Sequence, residues 1–347
     1  MNDFRFMATG IGSVPTLDLQ GACARILELI PGMPFWPQLV KRSPLEDMSI
    51  QFSERLPLLE VQKEKRSLRL SSGEWESELV TFYERLMAED IEYFAVSRDY
   101  APGLHEMVEA VKRSPARYGP YIKGQTVGPL TFAAGISGRE GKSLLVDPEF
   151  RDAMVKGLAI KALWQSRELG KTGKRVILFL DEPYLSGFGS AFTPIQREEV
   201  IVILKEVIDY VKERSETLIG IHCCGNTDWA MLLESGPDII NFDAFSYMDY
   251  FLLYSKEILR FLERGGAIAW GVVPTAAFTG KESVEGLTLK LREGLDRLRQ
   301  WGVDPGVVKA GSLLTPACGM GTMDRDSADR VLVLLSQLST RCEELFP

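Results

Sequence analysis

Short apolar runs alternate with longer amphipathic stretches along most of the chain. Runs that are apolar on both faces are typical of strands buried in a parallel sheet, whereas apolar positions three and four residues apart indicate helices. The pattern predicts eight strands, at Met7–Val14, Tyr93–Val96, Tyr121–Gln125, Val176–Asp181, Leu218–Cys223, Ile239–Asp243, Ala267–Val272 and Val307–Ala310. Helices are predicted most clearly at Leu17–Leu29, Pro148–Leu169, Pro194–Glu213, Ser283–Trp301 and Arg325–Cys342. Asp324 or Asp326 is a suitable N-cap for the last helix.

The alternation of strands and helices indicates βαβ units and therefore an α/β fold. Eight strands with helices to match favour a (βα)8 TIM barrel, which we expect to form a single domain over residues 1–347. An open, doubly wound sheet is the alternative, but no glycine-rich dinucleotide-binding motif follows the first strand.

Residues 31–73 do not fit this alternation. The stretch is irregular, carries Pro34, Pro37, Pro44 and Pro57, and is too long for a standard connection. It follows the first βα unit, so we interpret it as an insertion in the barrel. Long insertions are usually lids or binding loops, with a disordered linker as the alternative.

Composition narrows the class of protein. The chain has 347 residues, 45% of them hydrophobic and 25% charged, as in an ordinary globular protein. The net charge of −8 argues against a nucleic-acid partner held by a basic surface. No run of 18 apolar residues and no leader pattern is present, so we expect a cytoplasmic protein without a membrane partner. Five cysteines are too few for a disulfide scaffold here, and with only two histidines catalysis through several histidines is nearly excluded.

Polar residues follow the predicted strands at their C-terminal ends, where barrel enzymes hold catalytic groups. The segments concerned are Gly10–Ser13, Asp181–Pro183, His222–Asn226, Asp243 and Pro316–Gly319. His222 and Cys224 are two residues apart and would face the same side of extended backbone, so both could bind one zinc ion. An isolated pair of this kind is more often a buried cysteine beside a hydrogen-bonded histidine, and Cys318 could equally be a packed hydrophobic residue. Both interpretations stay open on the spacing alone.

The remaining cysteines are expected to be structural. Cys223 should point away from its neighbours into the core, Cys23 lies in an apolar helical stripe, and Cys342 lies near the C-terminus. Of the adjacent acidic residues Asp181 and Glu182, only one can face inward, and the other would cap the next segment or pair with a basic residue. We favour Asp181 in the pocket, where a carboxylate would suit a substrate ammonium group.

Four motifs occur in order along nearly the whole chain. They are Ile11-Gly12-Ser13-Val14-Pro15, Lys123-Gly124 with Val127-Gly128-Pro129-Leu130-Thr131, Leu180-Asp181-Glu182-Pro183, and His222-x-Cys224 with Pro316-Ala317-Cys318-Gly319. They are similar to I-G-S-F-P, K-G-x-x-T-G-P-x-T, I-D-E-P, and H-x-C with P-D-C-G. Together they resemble the C-terminal catalytic barrel of the cobalamin-independent methionine synthase family. That family belongs to the wider group of uroporphyrinogen decarboxylase and the corrinoid-linked methyltransferases.

The resemblance implies a zinc-dependent thiol methyltransferase, with homocysteine as acceptor and methionine as product. It implies that His222, Cys224 and Cys318 are zinc ligands and form the catalytic centre. A glutamate completes the family's ligand set, and Asp243 stands in its place here with a shorter side chain.

The resemblance also assigns the residues that bind the substrate. Gly12 and Ser13 would contact the carboxylate of the amino acid, and Asp181 would bind its amino group and take part in catalysis. Glu182, next to Asp181, is a further candidate for substrate binding.

The chain departs from the family in two ways. Lys41-Arg42-Ser43 stands where the family has an acidic stretch that helps to bind the amino group, so recognition of that end is expected to differ. The N-terminal barrel half of the full-length folate-using enzymes has no counterpart here, and Cys224-Gly225-Asn226-Thr227 is similar to the H-x-C-G-N-T of corrinoid-linked methyltransferases. Both features favour methylcobalamin or another methylcorrinoid, supplied by a corrinoid protein, over methylfolate as the methyl donor.

Three alternatives are open at this point. A corrinoid-linked methyltransferase for another small thiol, such as coenzyme M, would keep the zinc site. A uroporphyrinogen decarboxylase-like enzyme would need a basic cleft, and the N-terminal arginine motif of that family is absent. A non-enzymatic barrel with a storage-type zinc site is the third.

Overall fold

The computed structural model describes residues 3–73, 75–138, 141–190 and 193–346. In these residues the strands are β1 (Met7–Ala8), β2 (Leu59–Gln62), β3 (Ser67–Leu70), β4 (Tyr121–Val127), β5 (Ile136–Ser137), β6 (Arg175–Asp181), β7 (Leu218–Cys223), β8 (Ile239–Phe242), β9 (Ala267–Val273) and β10 (Ser312–Pro316). The α-helices are α1 (Leu19–Leu29), α2 (Met48–Gln51), α3 (Trp75–Met87), α4 (Pro102–Arg113), α5 (Pro129–Gly135), α6 (Pro148–Gly170), α7 (Arg197–Lys212), α8 (Trp229–Glu234), α9 (Ala244–Phe251), α10 (Ser255–Glu263), α11 (Val284–Gln300), α12 (Pro305–Ala310) and α13 (Arg325–Leu345).

Seven of the strands form one parallel sheet, in the order β1-β10-β9-β8-β7-β6-β4. Every residue of β7, β8, β9 and β10 is buried. A strand that is covered on both faces needs apolar residues at successive positions, which explains the continuous apolar runs of the sequence.

The segment after α1 reaches both edges of this sheet. Phe35 forms a parallel bridge with Lys123 of β4, and Gln38 forms one with Ser13, shortly after β1. Backbone hydrogen bonds of 2.9 and 3.0 Å accompany the two bridges. One short segment can touch both edges only because the sheet curls until they approach each other. The α/β class is confirmed, with a curled sheet of seven parallel strands. The predicted barrel has eight strands. Between the two edges of the sheet, the segment through Phe35 and Gln38 forms isolated bridges and no eighth strand.

Two predicted strands are wrong. Tyr93–Val96 overlaps a 3-10 helix, Ile91–Phe94, whose first turn is capped by the side chain of Asp90. Val307–Ala310 lies in α12, where Asp304 accepts hydrogen bonds from backbone amides of the first turn. Periodicity does not separate short apolar strands from short helices, and in both places a capping aspartate favours the helix. The strand expected there is β10, which begins after α12 ends.

The predicted helices and buried cysteines are confirmed. The five helical segments correspond to α1, α6, α7, α11 and α13, and Asp324 caps the last by accepting a 2.9 Å hydrogen bond from the Ser327 amide. Cys23, Cys223 and Cys342 are at most 2% exposed and lie in the main hydrophobic core. Among the described residues, none of the helices has the length and hydropathy needed to cross a membrane.

Residues 31–73 are folded in the structure. They contain a 3-10 helix at Pro44–Glu46, helix α2, and the antiparallel hairpin β2–β3, to which β5 adds a parallel third strand. Leu58 and Leu68 of the hairpin region are buried in the main core. The stretch is therefore a packed substructure rather than a disordered linker.

Candidate metal centre

Three of the predicted metal ligands meet at the C-terminal end of the parallel sheet. His222 lies near the end of β7, Cys224 directly follows that strand, and Cys318 lies two residues beyond β10. The imidazole nitrogen and the two sulfur atoms all lie within 4.8 Å of one another. His222 is buried and the two cysteines are half-buried. A cluster of this size and composition suits a single ion.

The register of the sheet aligns polar side chains with this cluster. Asp181 of β6 pairs with His222 of β7, and His222 pairs with Asn241 of β8. Asn241 pairs in turn with Ala269 of β9. Residues paired across parallel strands project to the same face of the sheet, so Asp181, His222 and Asn241 lie side by side.

Asn241 fixes the orientation of the His222 ring. Its amide nitrogen donates hydrogen bonds of 2.8 Å to the Ala269 carbonyl and to Thr315 Oγ1. A carbonyl oxygen only accepts, so the amide oxygen must face the other way, towards His222 Nδ1, with which it is hydrogen-bonded. Nδ1 therefore carries a ring proton, and in the neutral ring Nε2 faces the cysteines with a lone pair that can bind a metal ion.

The two thiols form a coupled pair. The hydrogen bond with Cys318 lowers the pKa of Cys224 to about 4, against the effect of burial and with the help of His222. The same hydrogen bond raises the pKa of Cys318. Burial lowers the pKa of His222, but contacts with Cys224 and Asp181 outweigh it and raise the pKa overall. Cys224 is thus the thiol of the pair that is favoured as a thiolate, the form that binds a metal ion.

Asp181 lies beside the cluster with an unused hydrogen-bonding capacity. It is 5% exposed, lines the same cavity as the cluster, and its Oδ1 has no hydrogen-bond partner among the described residues. Burial raises its pKa to about 6, while Lys123 and His222 act in the opposite direction. A buried oxygen without a partner is unfavourable, so this atom is suited to bind a cationic group of a ligand.

Sequence reasoning gave no role to Lys123, although a lysine inside an apolar strand is an unusual signal. Its side chain is fully buried, and Nζ donates to the Ile11 carbonyl and to Gln125 Oε1 at 3.1 Å. Nζ also lies 4.7 Å from the centroid of the Phe179 ring. Burial lowers its pKa to about 7, and Asp181 opposes that shift. Lys123 thus places a basic group in the sheet interior near Asp181.

Ser13 connects the end of the first predicted strand to the loop that carries Cys318. Its carbonyl accepts a 3.0 Å hydrogen bond from the Met320 amide, and its Oγ accepts one of 3.1 Å from the Gly321 amide. Ser13 lines the cavity. Gly12 is buried against the side chains of Gln125 and Gln38. The structure thus brings Ser13, rather than Gly12, to the cavity surface.

The two other predicted site residues, Glu182 and Asp243, accept hydrogen bonds from backbone amides at the starts of helices. Glu182 is fully buried, and its carboxylate accepts hydrogen bonds from the Leu130 amide at 2.9 Å and from the amide and hydroxyl of Thr131 at 2.8 and 2.6 Å. Asp243 caps α9 by accepting a 2.8 Å hydrogen bond from the Ser246 amide. It is not one of the three residues that make up the ligand cluster found in the described residues. The geometry therefore supports neither substrate contact by Glu182 nor metal ligation by Asp243.

A cavity of about 710 Å³ opens above the cluster. Its inner part is lined by the three candidate ligands and Asp181. One wall comes from the insertion, through Gln38, Val40, Lys41, Met48 and Arg66. A volume in this range is typical of sites for small molecules.

The residues present fit a zinc ion. One imidazole nitrogen and two sulfur atoms are a donor set that zinc prefers, and catalytic zinc sites use three protein ligands and leave a position open to substrate. The hydrogen bond from His222 Nδ1 to Asn241 is the outer contact expected of a metal-bound histidine.

Comparisons with known proteins give likenesses to solved structures. No protein-family model matches the chain, and no curated protein matches it. One similar solved structure is a B12-independent methionine synthase from Shewanella sp. W3-18-1 in complex with selenomethionine, with 21% identity over 68% of this chain and 66% of that chain and a TM-score of 0.46. Another is a GH138 enzyme targeting pectin rhamnogalacturonan II, with 10% identity over 72% of this chain and 36% of that chain and a TM-score of 0.29. Likenesses at this level support no conclusion about activity.

Proposed function

We propose that the chain is a zinc-dependent methyltransferase that transfers a methyl group to the thiol of homocysteine, giving methionine. The observation that carries the proposal is the cluster of His222, Cys224 and Cys318 at the inner end of a cavity, beside a buried Asp181 oxygen without a partner. The order of the four sequence motifs, which include these residues, also supports it.

Different cavity residues would bind the different groups of the acceptor. His222, Cys224 and Cys318 would hold the metal, and Asp181 would receive the ammonium group through Oδ1. Ser13 lies beside the Cys318 loop, where it would meet the substrate carboxylate. When bound, zinc would lower the pKa of a coordinated thiol so that its sulfur reacts as a thiolate. The overall transfer moves the methyl group from the donor to that sulfur and releases the thiol proton.

We propose a methylcorrinoid as the methyl donor, on the strength of the Cys224-Gly225-Asn226-Thr227 motif. We further propose that the chain acts as one barrel-like domain in which the segment through Phe35 and Gln38 completes the curled sheet and residues 31–73 serve as a lid.

The proposal is tested by incubating the zinc-loaded protein with homocysteine and either methylcobalamin or methyltetrahydrofolate, and measuring methionine. Cys318→Ser should lose most bound zinc and most activity, because one of three protein ligands is removed. Cys342→Ser is the matched control, since Cys342 is a buried cysteine of the core outside the cluster. Undiminished methionine formation by metal-free protein, or by Cys318→Ser, would contradict the proposal.

A further inference from the structure

Two cationic side chains at the cavity wall lack acidic partners. Lys41 Nζ donates a 2.6 Å hydrogen bond to the Met323 carbonyl, and an Arg66 Nη donates one of 2.7 Å to the Val40 carbonyl. In the part of the chain that the structure describes, no carboxylate forms an ion pair with either of them. Each uses one donor on the backbone and keeps others available for a ligand.

Two cationic residues nearby in the sequence, Arg42 and Arg69, do form ion pairs. Arg42, next to Lys41, forms a 2.7 Å ion pair with Glu46. Arg69, on the same hairpin as Arg66, forms a 2.7 Å ion pair with Glu60. Neither Arg42 nor Arg69 lines the cavity. Of these four cations, the two that line the cavity are thus the two without an ion pair among the described residues.

The backbone of Arg66 adds a second observation. Its φ is 49°, in the left-handed region that turns usually fill with glycine or asparagine. The side chain of Arg66 lines the cavity, and its hydrogen bond to the Val40 carbonyl joins the hairpin to that segment.

The inner and outer parts of the cavity carry different charged groups. The inner part carries the two cysteines, which are candidate metal ligands, and Asp181, which suits an ammonium group. The outer part carries Lys41 and Arg66. Asp47 also lines the cavity, but its carboxylate accepts a 3.2 Å hydrogen bond from the Ser49 amide at the start of α2. The outer part therefore carries two positive charges and one negative charge, and it favours an anion.

We propose that Lys41 and Arg66 form a subsite for an oxyanion, a carboxylate or a phosphate, carried by the methyl donor. The assignment to the donor rests on the proposed function. In that function the acceptor thiol is held at the inner end, and a cavity of about 710 Å³ extends well beyond an amino-acid ligand. A donor must enter from the outside to bring its methyl group to the sulfur, so its remaining groups lie along the wall formed by the insertion.

Direct binding tests the subsite without requiring turnover. Isothermal titration of the zinc-loaded protein would use three probes: tetrahydrofolate, whose glutamate carries carboxylates; hydroxocobalamin, whose nucleotide carries a phosphate; and cobinamide, which lacks that nucleotide. The double variant Lys41→Gln/Arg66→Gln should bind the recognised anionic probe roughly tenfold or more weakly, because charge-assisted hydrogen bonds are lost. Arg69→Gln is the matched control and should bind as the wild type does. Added salt should weaken binding to the wild type more than to the double variant.

The outcomes separate the subsite from the proposed function. Weaker tetrahydrofolate binding identifies a carboxylate, and weaker hydroxocobalamin binding with unchanged cobinamide binding identifies a phosphate. Equal affinity of wild type and double variant for both anionic probes overturns the subsite, as does failure of both to bind the wild type at millimolar concentration. A fourth titration, with homocysteine, tests the acceptor: if the double variant loses affinity for homocysteine alone, the anion belongs to the acceptor and the donor subsite is overturned. If anionic probes bind through Lys41 and Arg66 but no donor yields methionine, the subsite stands and the proposed methyl transfer fails.

Discussion

Replacement of Asn241 by leucine tests whether the sheet orients the metal-binding histidine. Asn241 is fully buried and joins three partners: His222 Nδ1, the Ala269 carbonyl and Thr315 Oγ1. Leucine has a similar shape but cannot form these hydrogen bonds. The His222 ring would lose the acceptor that keeps the proton on Nδ1. The ring could then rotate or change tautomer, and Nε2 would face the metal for only part of the time.

The expected magnitude follows from these contacts. Loss of an outer partner of a metal-bound histidine typically weakens metal binding about 10- to 100-fold, which is roughly 1.4 to 2.7 kcal/mol. The buried groups left without partners cost about 1–3 kcal/mol each, so the metal-free variant should also be less stable than the wild type.

The assay is competition with a chromogenic chelator, which reports the zinc dissociation constant of the folded protein without any enzymatic reaction. Thr315→Val is the matched control, because it removes one acceptor of Asn241 while the bond to Ala269 still holds the amide in place. We expect zinc binding by this control to stay within a few-fold of the wild type. If Asn241→Leu binds zinc as tightly as Thr315→Val, Asn241 does not position His222 and the reasoning is refuted.

Further predictions concern stability and the loop around Cys318. Burial lowers the pKa of Lys161 from 10.5 to about 7, so between these pH values the unfolded chain holds a proton that the folded chain has released. Stability should therefore rise with pH in that window by up to about 1.4 kcal/mol per unit, and urea unfolding should show a shallower rise for Lys161→Met. Gly319→Ala should weaken zinc binding and lower the melting temperature, because the new Cβ would lie 2.3 Å from Ser13 Oγ, whereas Gly170→Ala, with nothing within 4 Å, should be neutral or stabilising. Removal of zinc by a chelator should lower the melting temperature of the wild type reversibly, since the ion binds the folded state, and an unchanged melting temperature would argue against a metal centre.

Local patterns in the sequence were sufficient for much of the framework. The apolar runs of β4, β6, β7, β8 and β9 identify buried parallel strands, since any other placement would expose them. Helices as long as α6 and α11 show enough turns of periodicity to be recognised. The same reasoning failed at residues 93–96 and 307–310, where the window was short and a capping aspartate decided the conformation.

The candidate site was predictable only in part. His222, Cys224 and Cys318 were identified from spacing and motif resemblance, and the structure places their ligand atoms together. Glu182 was singled out by its position next to Asp181, but its carboxylate caps α5. The sequence predicts that two adjacent side chains in a strand point to opposite faces of the sheet. It does not predict which groups each side chain meets there.

By itself, then, the sequence determined the class of fold, the buried strands and the residues with the chemistry to bind a metal, because these depend on local periodicity and residue type. Tertiary structure alone decided the contacts around them. The pairing of His222 with Asn241 depends on the register of β7 and β8, and a slip by one residue would turn either side chain to the opposite face. The approach of Lys41 and Arg66 to one cavity depends on how the insertion folds over the sheet. Both are relations between segments distant in the chain, which are set by packing and sheet register rather than by local pattern.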